Sequence, residues 1–342
     1  SNRAEIIVDL DEAITAGEVI KAIGSLGWSA SESSSRIYQR GGTLVHVTSD
    51  RVPGTGDDDQ DSMRIRPLPK SILRERISQA VSLVEEREEK TLLVRPPQWL
   101  VSSIHERGEY PADIKPLTGI VECPTVRPDG SLIQSPGYDE TTGLLFYPAC
   151  DFPRIAEHPS DEDAARSAFE LLDVVSDFPF MNDDHKCVWL SFLLTLIGRP
   201  AIDGPCPLFL IDANSRGSGK SLLADVASVI ATGRPMPRKT WSSDDEETRK
   251  TITAVALEGL QSVMFDNVIG SIGSASLDAA LTSISWQDRL LGKSETTGTL
   301  PLKTIWVTTG NNVQMAADTA RRTLICRLES DREHPEDRTD FT

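Results

Sequence analysis

The fold of the second half of the chain is decided by the stretch Leu208-Phe209-Leu210-Ile211-Asp212-Ala213-Asn214-Ser215-Arg216-Gly217-Ser218-Gly219-Lys220-Ser221. An apolar run, a glycine-rich loop and an apolar-periodic segment from Leu222 onward predict a strand, a turn and a helix in that order. Backbone N–H groups of such a loop, with those of the helix N-terminus, face the phosphates of a nucleotide. The order of elements therefore predicts a phosphate-binding loop.

The loop residues have separate expected roles. Lys220 is expected to reach the β- and γ-phosphates of ATP, and Ser221 is expected to hold Mg²⁺. Asn214 stands where the usual pattern has its first glycine, and we expect it to keep the turn by adopting a positive φ, which asparagine tolerates. The residues expected to bind the nucleotide are Asn214, Ser215, Arg216, Gly217, Ser218, Gly219, Lys220, Ser221 and Leu222.

Composition limits the class of protein. The 342 residues suffice for two domains, and no apolar run reaches the length of about 18 residues that would predict a membrane span. The five cysteines are scattered without a CxxC pair, which indicates reduced thiols and a cytoplasmic location. The net charge of −17 argues against a generally basic nucleic-acid-binding surface, so any DNA contact is expected to be local.

Two later apolar segments end in polar residues, as a nucleotide site requires. Residues 260–265 lead to Asp266, which is expected to bind Mg²⁺ through water. The next residue, Asn267, stands where hydrolytic relatives often carry glutamate, and an amide can orient water but cannot accept a proton. Residues 304–309 lead to Asn311, which we interpret as a sensor of the γ-phosphate or of the attacking water. The alternative for Asn311 is an ordinary Gly-Asn turn.

Basic residues near the third strand suggest contacts beyond one nucleotide site. Arg321 or Arg322 is a candidate arginine finger for a neighbouring subunit, the alternative being a solvated pair. Arg338 is a candidate second sensor. Between the second and third strands, the segment with Arg289 and Lys293 predicts a hairpin. In ring ATPases such hairpins project into the central pore, where their cations grip the DNA backbone, and Arg289 and Lys293 would be those contacts. A plain surface loop is the alternative for this segment.

The patterns in the first part of the chain predict a separate region of mixed helices and strands. Residues 1–150 are interpreted as a mixed α+β accessory domain, with a possible sub-boundary near 90–96, and residues 155–342 as the phosphate-loop domain. The turn-rich stretch from 117 to 147 predicts short strands that cover one end of the second domain. An active site built on its carboxylates and Tyr138 is the disfavoured alternative.

Several short motifs together resemble one family. They are Pro97-Gln98-Trp99-Leu100-Val101, Leu117-Thr118-Gly119-Ile120-Val121, Pro124-Thr125-Val126-Arg127-Pro128-Asp129-Gly130, Pro136-Gly137-Tyr138-Asp139, Asp177-Phe178-Pro179-Phe180, Phe265-Asp266-Asn267-Val268, Trp286-Gln287-Asp288-Arg289, Gly310-Asn311-Asn312 and Arg321-Arg322. Spread over most of residues 95–338, they resemble the D5-like DNA primase-helicases of phages and mobile elements.

The resemblance implies an α/β fold: a superfamily 3-like AAA+ ATPase domain of three layers, truncated at its C-terminus and preceded by a smaller mixed α+β accessory domain. It implies a homo-oligomeric ring, commonly a hexamer, that uses ATP and Mg²⁺ at its subunit interfaces to translocate on single-stranded or forked DNA. A primase domain would lie upstream in the full polypeptide.

Asn214 and Asn267 favour an alternative, a slowly hydrolysing nucleotide-binding module for assembly or regulation that does not unwind DNA. A P-loop kinase is a weaker option, because it leaves the arginine pair unexplained and the sequence offers no evident acceptor site.

Overall fold

The computed structural model describes residues 3–26, 36–50, 62–87, 90–148, 150–156, 158–289 and 296–331. Its first half, in chain order, contains β1 (Ala4–Ile7), α1 (Glu12–Gly24), β2 (Ile37–Arg40), β3 (Thr43–Asp50), β4 (Ser62–Pro67), α2 (Lys70–Ala80), β5 (Val81–Arg87), β6 (Lys90–Val94), α3 (Gln98–His105), β7 (Gly119–Val121), β8 (Thr125–Val126), β9 (Leu132–Ile133), β10 (Gly137–Asp139) and β11 (Leu144–Phe146).

The second half contains α4 (Asp161–Asp173), α5 (Asp183–Gly198), β12 (Leu208–Ala213), α6 (Lys220–Thr232), β13 (Arg238–Lys239), α7 (Asp245–Glu258), β14 (Ser262–Val268), β15 (Ser271–Ile272), α8 (Ala275–Ala280), β16 (Ser285–Trp286), β17 (Leu300–Pro301), β18 (Ile305–Asn311), β19 (Gln314–Met315), α9 (Ala317–Ala320) and β20 (Thr323–Leu328). Within the described ranges, no helix has both the length and the apolar character that crossing a membrane requires.

The chain divides into two compact units that alternate along the sequence. The first comprises Ser1–Ile120, Gly137–Leu145 and Gln287–Leu300, and the second comprises Val121–Pro136, Phe146–Trp286 and Pro301–Thr342. These ranges differ from the expected contiguous domains 1–150 and 155–342.

Contacts within each unit explain why each unit is assembled from several separate segments of the chain. In the second unit, the hydroxyl of Thr125 on β8 donates a hydrogen bond to the carbonyl of Ile197 at the end of α5, and Arg234 pairs with Glu122. In the first unit, a Cβ added at Gly298 would lie 2.3 Å from the carbonyl oxygen of Gly41, so only glycine fits this approach. Long-range contacts of this kind cannot be predicted from local composition.

The first unit is built on small sheets covered by helices. Strand β5 pairs in parallel with β1 and antiparallel with β6, while β2, β3 and β4 form an antiparallel sheet and β10, β11 and β7 form another. The turn between β2 and β3 is Gly41-Gly42, with φ of 54° and 75°, a conformation that favours glycine. Buried side chains of α1, α2 and α3, among them Val19, Leu73 and Leu100, form the main core of this unit.

The second unit is a mixed α/β structure around a parallel sheet of five strands. The strand order is β13-β14-β18-β12-β20. Every residue of β12 is buried, which agrees with its apolar sequence and with a central place in a parallel sheet. Trp189 and Phe192 of α5 and Leu223 of α6 pack with the sheet in one core, and the Trp189 indole N–H donates to the Leu223 carbonyl at 3.1 Å.

The order of strands determines where the polar residues gather. Because all five strands run in parallel, their carboxyl ends meet at one edge of the sheet. That edge carries the loop after β12, Asp266 near the end of β14 and Asn311 at the end of β18. Since β18 lies between β12 and β14, Asn311 stands between the loop and Asp266.

Candidate nucleotide-binding site

The glycine-rich loop has the backbone that an anion site needs. Gly217 and Gly219 have φ of 74° and 82°, and Gly219 is the N-cap of α6 without a side-chain hydrogen bond to the first turn. Because glycine has no side chain, the N–H groups at the start of α6 receive no side-chain cap from Gly219. They lie at the positive end of the helix dipole. A Cβ at Gly219 would also lie 2.9 Å from Cε1 of Phe178, so this glycine is required twice over.

Asn214 performs a different task from the one expected. In the described part of the chain, the non-glycine residues with positive φ are Asn267 (54°) and Asn312 (51°), so the predicted positive φ of Asn214 is wrong. The Asn214 side-chain amide instead donates to the Ser330 carbonyl at 3.1 Å and accepts from the Ser330 N–H at 3.2 Å. Asn214 thus contributes two side-chain hydrogen bonds that tie the loop to the chain after β20, rather than a special backbone conformation.

Hydrogen bonds inside the loop close it upon itself. The Ser218 hydroxyl donates to the Ser215 carbonyl at 2.7 Å, and the two hydroxyl oxygens lie 3.1 Å apart. Arg216 and Leu222 are exposed, the latter on the outer surface of α6. The loop therefore keeps its shape through its own serines.

The expected lysine and the expected sensor lie in direct contact. Lys220 is 9 % exposed, and its Nζ donates to the side-chain oxygen of Asn311 at 2.8 Å and to the Ser215 carbonyl at 3.2 Å. Burial lowers the pKa of Lys220, although the charges of Asp212 and Asp266 act in the opposite direction. Lys220 is thus a desolvated cation held by neutral acceptors, a state from which an anionic phosphate would be a favourable new partner.

The two residues expected to serve Mg²⁺ are also brought together. The Ser221 hydroxyl donates to Oδ1 of Asp266 at 2.6 Å, and the Thr309 hydroxyl donates to the same oxygen at 2.7 Å. Burial raises the pKa of Asp266, but hydrogen bonds from Ser221 and Thr309 and the charge of Arg238 outweigh it, and the net shift is downward. One hydroxyl and one ionised carboxylate form the sparse oxygen set that suits a largely hydrated Mg²⁺ bound to phosphates.

A β-bulge positions Asp266. The pairing of β14 with β18 shifts register between Phe265 and Val268, and Asn267 within this shift has a φ of 54°. The Asn267 N–H donates to the Thr309 hydroxyl at 2.8 Å, while that hydroxyl donates to Asp266. Thr309, 1 % exposed, therefore holds both residues of the bulge. The side chain of Asn267 itself is exposed.

Several polar residues of this edge escape a reading of the sequence alone. Nε of Arg238 donates to Oδ2 of Asp266 at 3.1 Å, and its Nη2 donates to Asp225 at 2.6 Å. On the other side, Arg327 pairs with Asp212 and donates to the side chain of Asn312 at 2.9 Å. Asp225 could have been predicted from the sequence as a neighbour of Ser221, because it lies one helical turn after it. The roles of Thr309 and Arg238 could not have been predicted, since they depend on strand register.

The other predicted residues lie elsewhere. The Leu208 N–H donates to the Arg322 carbonyl at 2.8 Å, which places the arginine pair at the start of β12, the end opposite to the loop. A strand of this length spans roughly 20 Å. Arg322 pairs with Asp278 at 3.3 Å, whereas Arg321 is exposed. Arg289 belongs to the first unit, where its N–H donates to the Asp288 side chain at 2.7 Å. Lys293 and Arg338 lie outside the described residues.

Comparisons with known proteins gave matches among solved structures alone. No family model matches the chain, and no curated protein matches it. A JCV helicase bound to N-(4-(2-(thiazolo[5,4-c]pyridin-2-yl)phenoxy)phenyl)acetamide is 13% identical, with a TM-score of 0.28, over 50% of this chain and 53% of that one. Another structure of JCV helicase is 11% identical, with a TM-score of 0.30, over 48% and 45%. An inhibitor-bound JCV helicase gives 13%, 0.25, 50% and 53%.

The matched region thus spans about half the length of these JCV helicase chains. With TM-scores of 0.25 to 0.30, the likeness itself says nothing about function. The function is inferred from the residues of the site.

Proposed function

We propose that the second unit binds ATP with Mg²⁺ and hydrolyses it as the AAA+ helicase or translocase module of a D5-like replication protein. The observation that carries the nucleotide site is the convergence of Lys220, Ser221, Asp266 and Asn311 through direct hydrogen bonds at one edge of the parallel sheet. Ligands of open parallel sheets bind at this edge, outside the carboxyl ends of the strands. A strand, a glycine-rich loop and a helix lead into it.

Each residue has a task in binding. The backbone of the loop receives the phosphates, and Lys220 exchanges its contacts with Asn311 and the Ser215 carbonyl for phosphate oxygens. Ser221 and Asp266 would hold Mg²⁺, directly and through water respectively. When bound, the metal would neutralise charge on the phosphates and act as a Lewis acid. The existing bond between Ser221 and Asp266 keeps both oxygens within one small volume.

Hydrolysis is assigned to amides rather than to a carboxylate base. Asn311, once released by Lys220, orients the attacking water or the γ-phosphate, and Asn267 supplies a second amide next to Asp266. Neither amide accepts a proton, so the attacking water would pass its proton to an oxygen of the transferred phosphate. The same observation supports a second candidate function, a module that holds ATP and hydrolyses it slowly for assembly or regulation.

The remaining parts of the proposal concern the assembly. Arg321 would act in trans as the arginine finger of a homo-oligomeric ring, commonly a hexamer, because it is exposed and lies at the edge away from its own loop. Single-stranded or forked DNA would be gripped by Arg289 and Lys293, and a primase domain would lie upstream in the full polypeptide. The supporting observations are the family motifs and the position of the arginine pair.

The deciding experiment is the ATPase rate of the purified protein with and without single-stranded DNA. Stimulation by DNA that disappears in Lys220→Ala would support the helicase or translocase. ATP binding with a rate at background, unchanged by DNA, would establish the slow nucleotide module instead. Light scattering with ATP and DNA present would test the ring, since a protein that stays monomeric has no neighbouring site for Arg321 to enter.

A further inference from the structure

Arg238 connects two carboxylates that belong to different elements. It lies on β13, the two-residue outermost strand of the sheet, which pairs with β14. Its Nε donates to Oδ2 of Asp266 at 3.1 Å, and its Nη2 donates to Oδ2 of Asp225 at 2.6 Å. A planar guanidinium can make two such bonds in fixed directions, which a lysine ammonium on a flexible stem cannot reproduce with the same geometry.

These bonds form a closed cycle of contacts that joins α6, β13 and β14. Ser221 and Asp225 lie one turn apart on α6, so they share a face of that helix. Ser221 holds Oδ1 of Asp266, while Arg238 holds Oδ2 and is itself held by Asp225. The other oxygen of Asp225 accepts the Met236 N–H at 3.0 Å, which fixes the chain that leads into β13. Both oxygens of Asp266 are thereby directed by neighbours.

We infer that Arg238 is a positioning residue for the carboxylate of Asp266: it fixes the orientation in which Asp266 receives the water shell of Mg²⁺. The inference rests on the proposed nucleotide site and assigns to it a residue that no sequence motif indicates. Without Arg238, Oδ2 of Asp266 loses its directed donor and the carboxylate keeps hydrogen bonds on Oδ1 only. Groups that orient a metal's ligands typically account for about a 10- to 100-fold effect on metal affinity.

The alternative is that Arg238 weakens Mg²⁺ binding instead of supporting it. Arg238 is a cation beside the carboxylate that would serve a cation, and its side chain is 43% exposed. If its main effect were to compete with the metal for Asp266, removing it would make Mg²⁺ bind more tightly. A positioning role predicts weaker Mg²⁺ binding, so the sign of the change separates the two.

The experiment uses a fluorescent, non-hydrolysable ATP analogue and follows its binding by anisotropy, first in EDTA and then during a titration with Mg²⁺. For Arg238→Gln we expect unchanged binding in EDTA and about a tenfold higher Mg²⁺ concentration at half-saturation. Arg238→Lys should recover part of the loss. Asp225→Asn should shift the Mg²⁺ requirement in the same direction, since it removes the charge that holds Arg238. Lys239→Gln is the matched control, because Lys239 is the next residue of β13 and pairs with Glu258 instead.

An Mg²⁺ requirement that is unchanged or lower in Arg238→Gln would overturn the inference. Thermal unfolding of each variant shows whether it is folded, and Asp225→Asn gives an independent test should Arg238→Gln prove unstable. A wild-type protein that fails to bind the analogue at any Mg²⁺ concentration would contradict the proposed function itself. That outcome is distinguishable from a failure of the Arg238 inference alone.

Discussion

The two edges of the five-stranded sheet differ in how completely their polar residues are paired. At the carboxyl edge, Lys220 donates to Asn311, and Ser221 and Thr309 both donate to Asp266. At the opposite edge, the arginine pair offers one residue engaged by Asp278 and one exposed residue that lies roughly 20 Å from the loop. The polar groups of the first edge hold one another, whereas Arg321 at the second edge is exposed.

The contrast separates nucleotide binding at one edge from turnover that depends on the other. The carboxyl edge brings together the groups that we propose for phosphate and metal binding, yet it offers amides where a hydrolytic site often has a carboxylate base. If turnover requires further positive charge, we propose that the exposed Arg321 of another copy supplies it. Binding should therefore survive changes at the arginine edge, whereas turnover should not.

Arg321→Ala should lower the ATPase rate more than the other substitutions lower their measured quantities. An arginine finger contributes about 10³-fold or more to turnover, so we expect the ATPase rate to fall by that factor while binding of a fluorescent ATP analogue stays unchanged. The rate should also fall more steeply than by dilution when the variant is mixed into wild-type protein. Arg322→Ala is the matched control, since Arg322 is tied to Asp278 in its own chain. If Arg322→Ala alone abolishes turnover, the roles of the two arginines are reversed.

Lys220→Met should separate binding from stability at the other edge. We expect affinity for the ATP analogue to fall by on the order of 10²-fold, as on loss of one strong donor from a preorganised anion site. The melting temperature should stay the same or rise, because burial disfavours the lysine charge and methionine fills similar space. Calorimetry and anisotropy on the same samples measure both. A clear fall in melting temperature would mean that Lys220 stabilises the fold rather than serving a ligand.

Local chemistry made part of this edge predictable. The strand, loop and helix around residues 208–232 are confirmed because glycine positions and apolar spacing specify them within a short window. The meeting of Asp266 with Ser221 follows from the rule that parallel strands end at one edge. The positive φ predicted for Asn214 is wrong because its amide found a partner in Ser330, a contact made across a long separation in sequence. Roles in catalysis remain predictions.

The rest depended on tertiary register. Whether Thr309 faces Asp266 is set by the bulge in β14, and a shift of one residue would turn it to the other side of the sheet. Arg238 lies on a strand too short to be read from periodicity. The interleaved units arise from contacts such as Thr125 with Ile197, which local composition does not encode.

Thr309→Val should test the bulge itself. The substitution removes the hydroxyl that accepts from the Asn267 N–H and donates to Asp266, and leaves both groups without that partner. We expect a loss of about 2 kcal/mol in the free energy of unfolding, together with a higher Mg²⁺ requirement for nucleotide binding. Thr308→Val is the control, because this equally buried neighbour makes a single 3.3 Å bond to the Phe265 carbonyl. Equal effects of the two substitutions would contradict a special role for Thr309.

Asn214→Gly restores the residue that the usual loop pattern has at this position, and its effect should be the smallest. If the loop needed a positive φ here, glycine would stabilise the protein and improve nucleotide binding. Asn214 does not use that conformation, so we expect the reverse: a loss of about 1 kcal/mol, from the two bonds to Ser330 and the greater freedom of an unfolded glycine. Asn214→Ala separates these causes, since it removes the bonds without adding that freedom. Denaturant unfolding measures the difference, and nucleotide affinity should stay unchanged in both variants because the loop's own serines keep its shape.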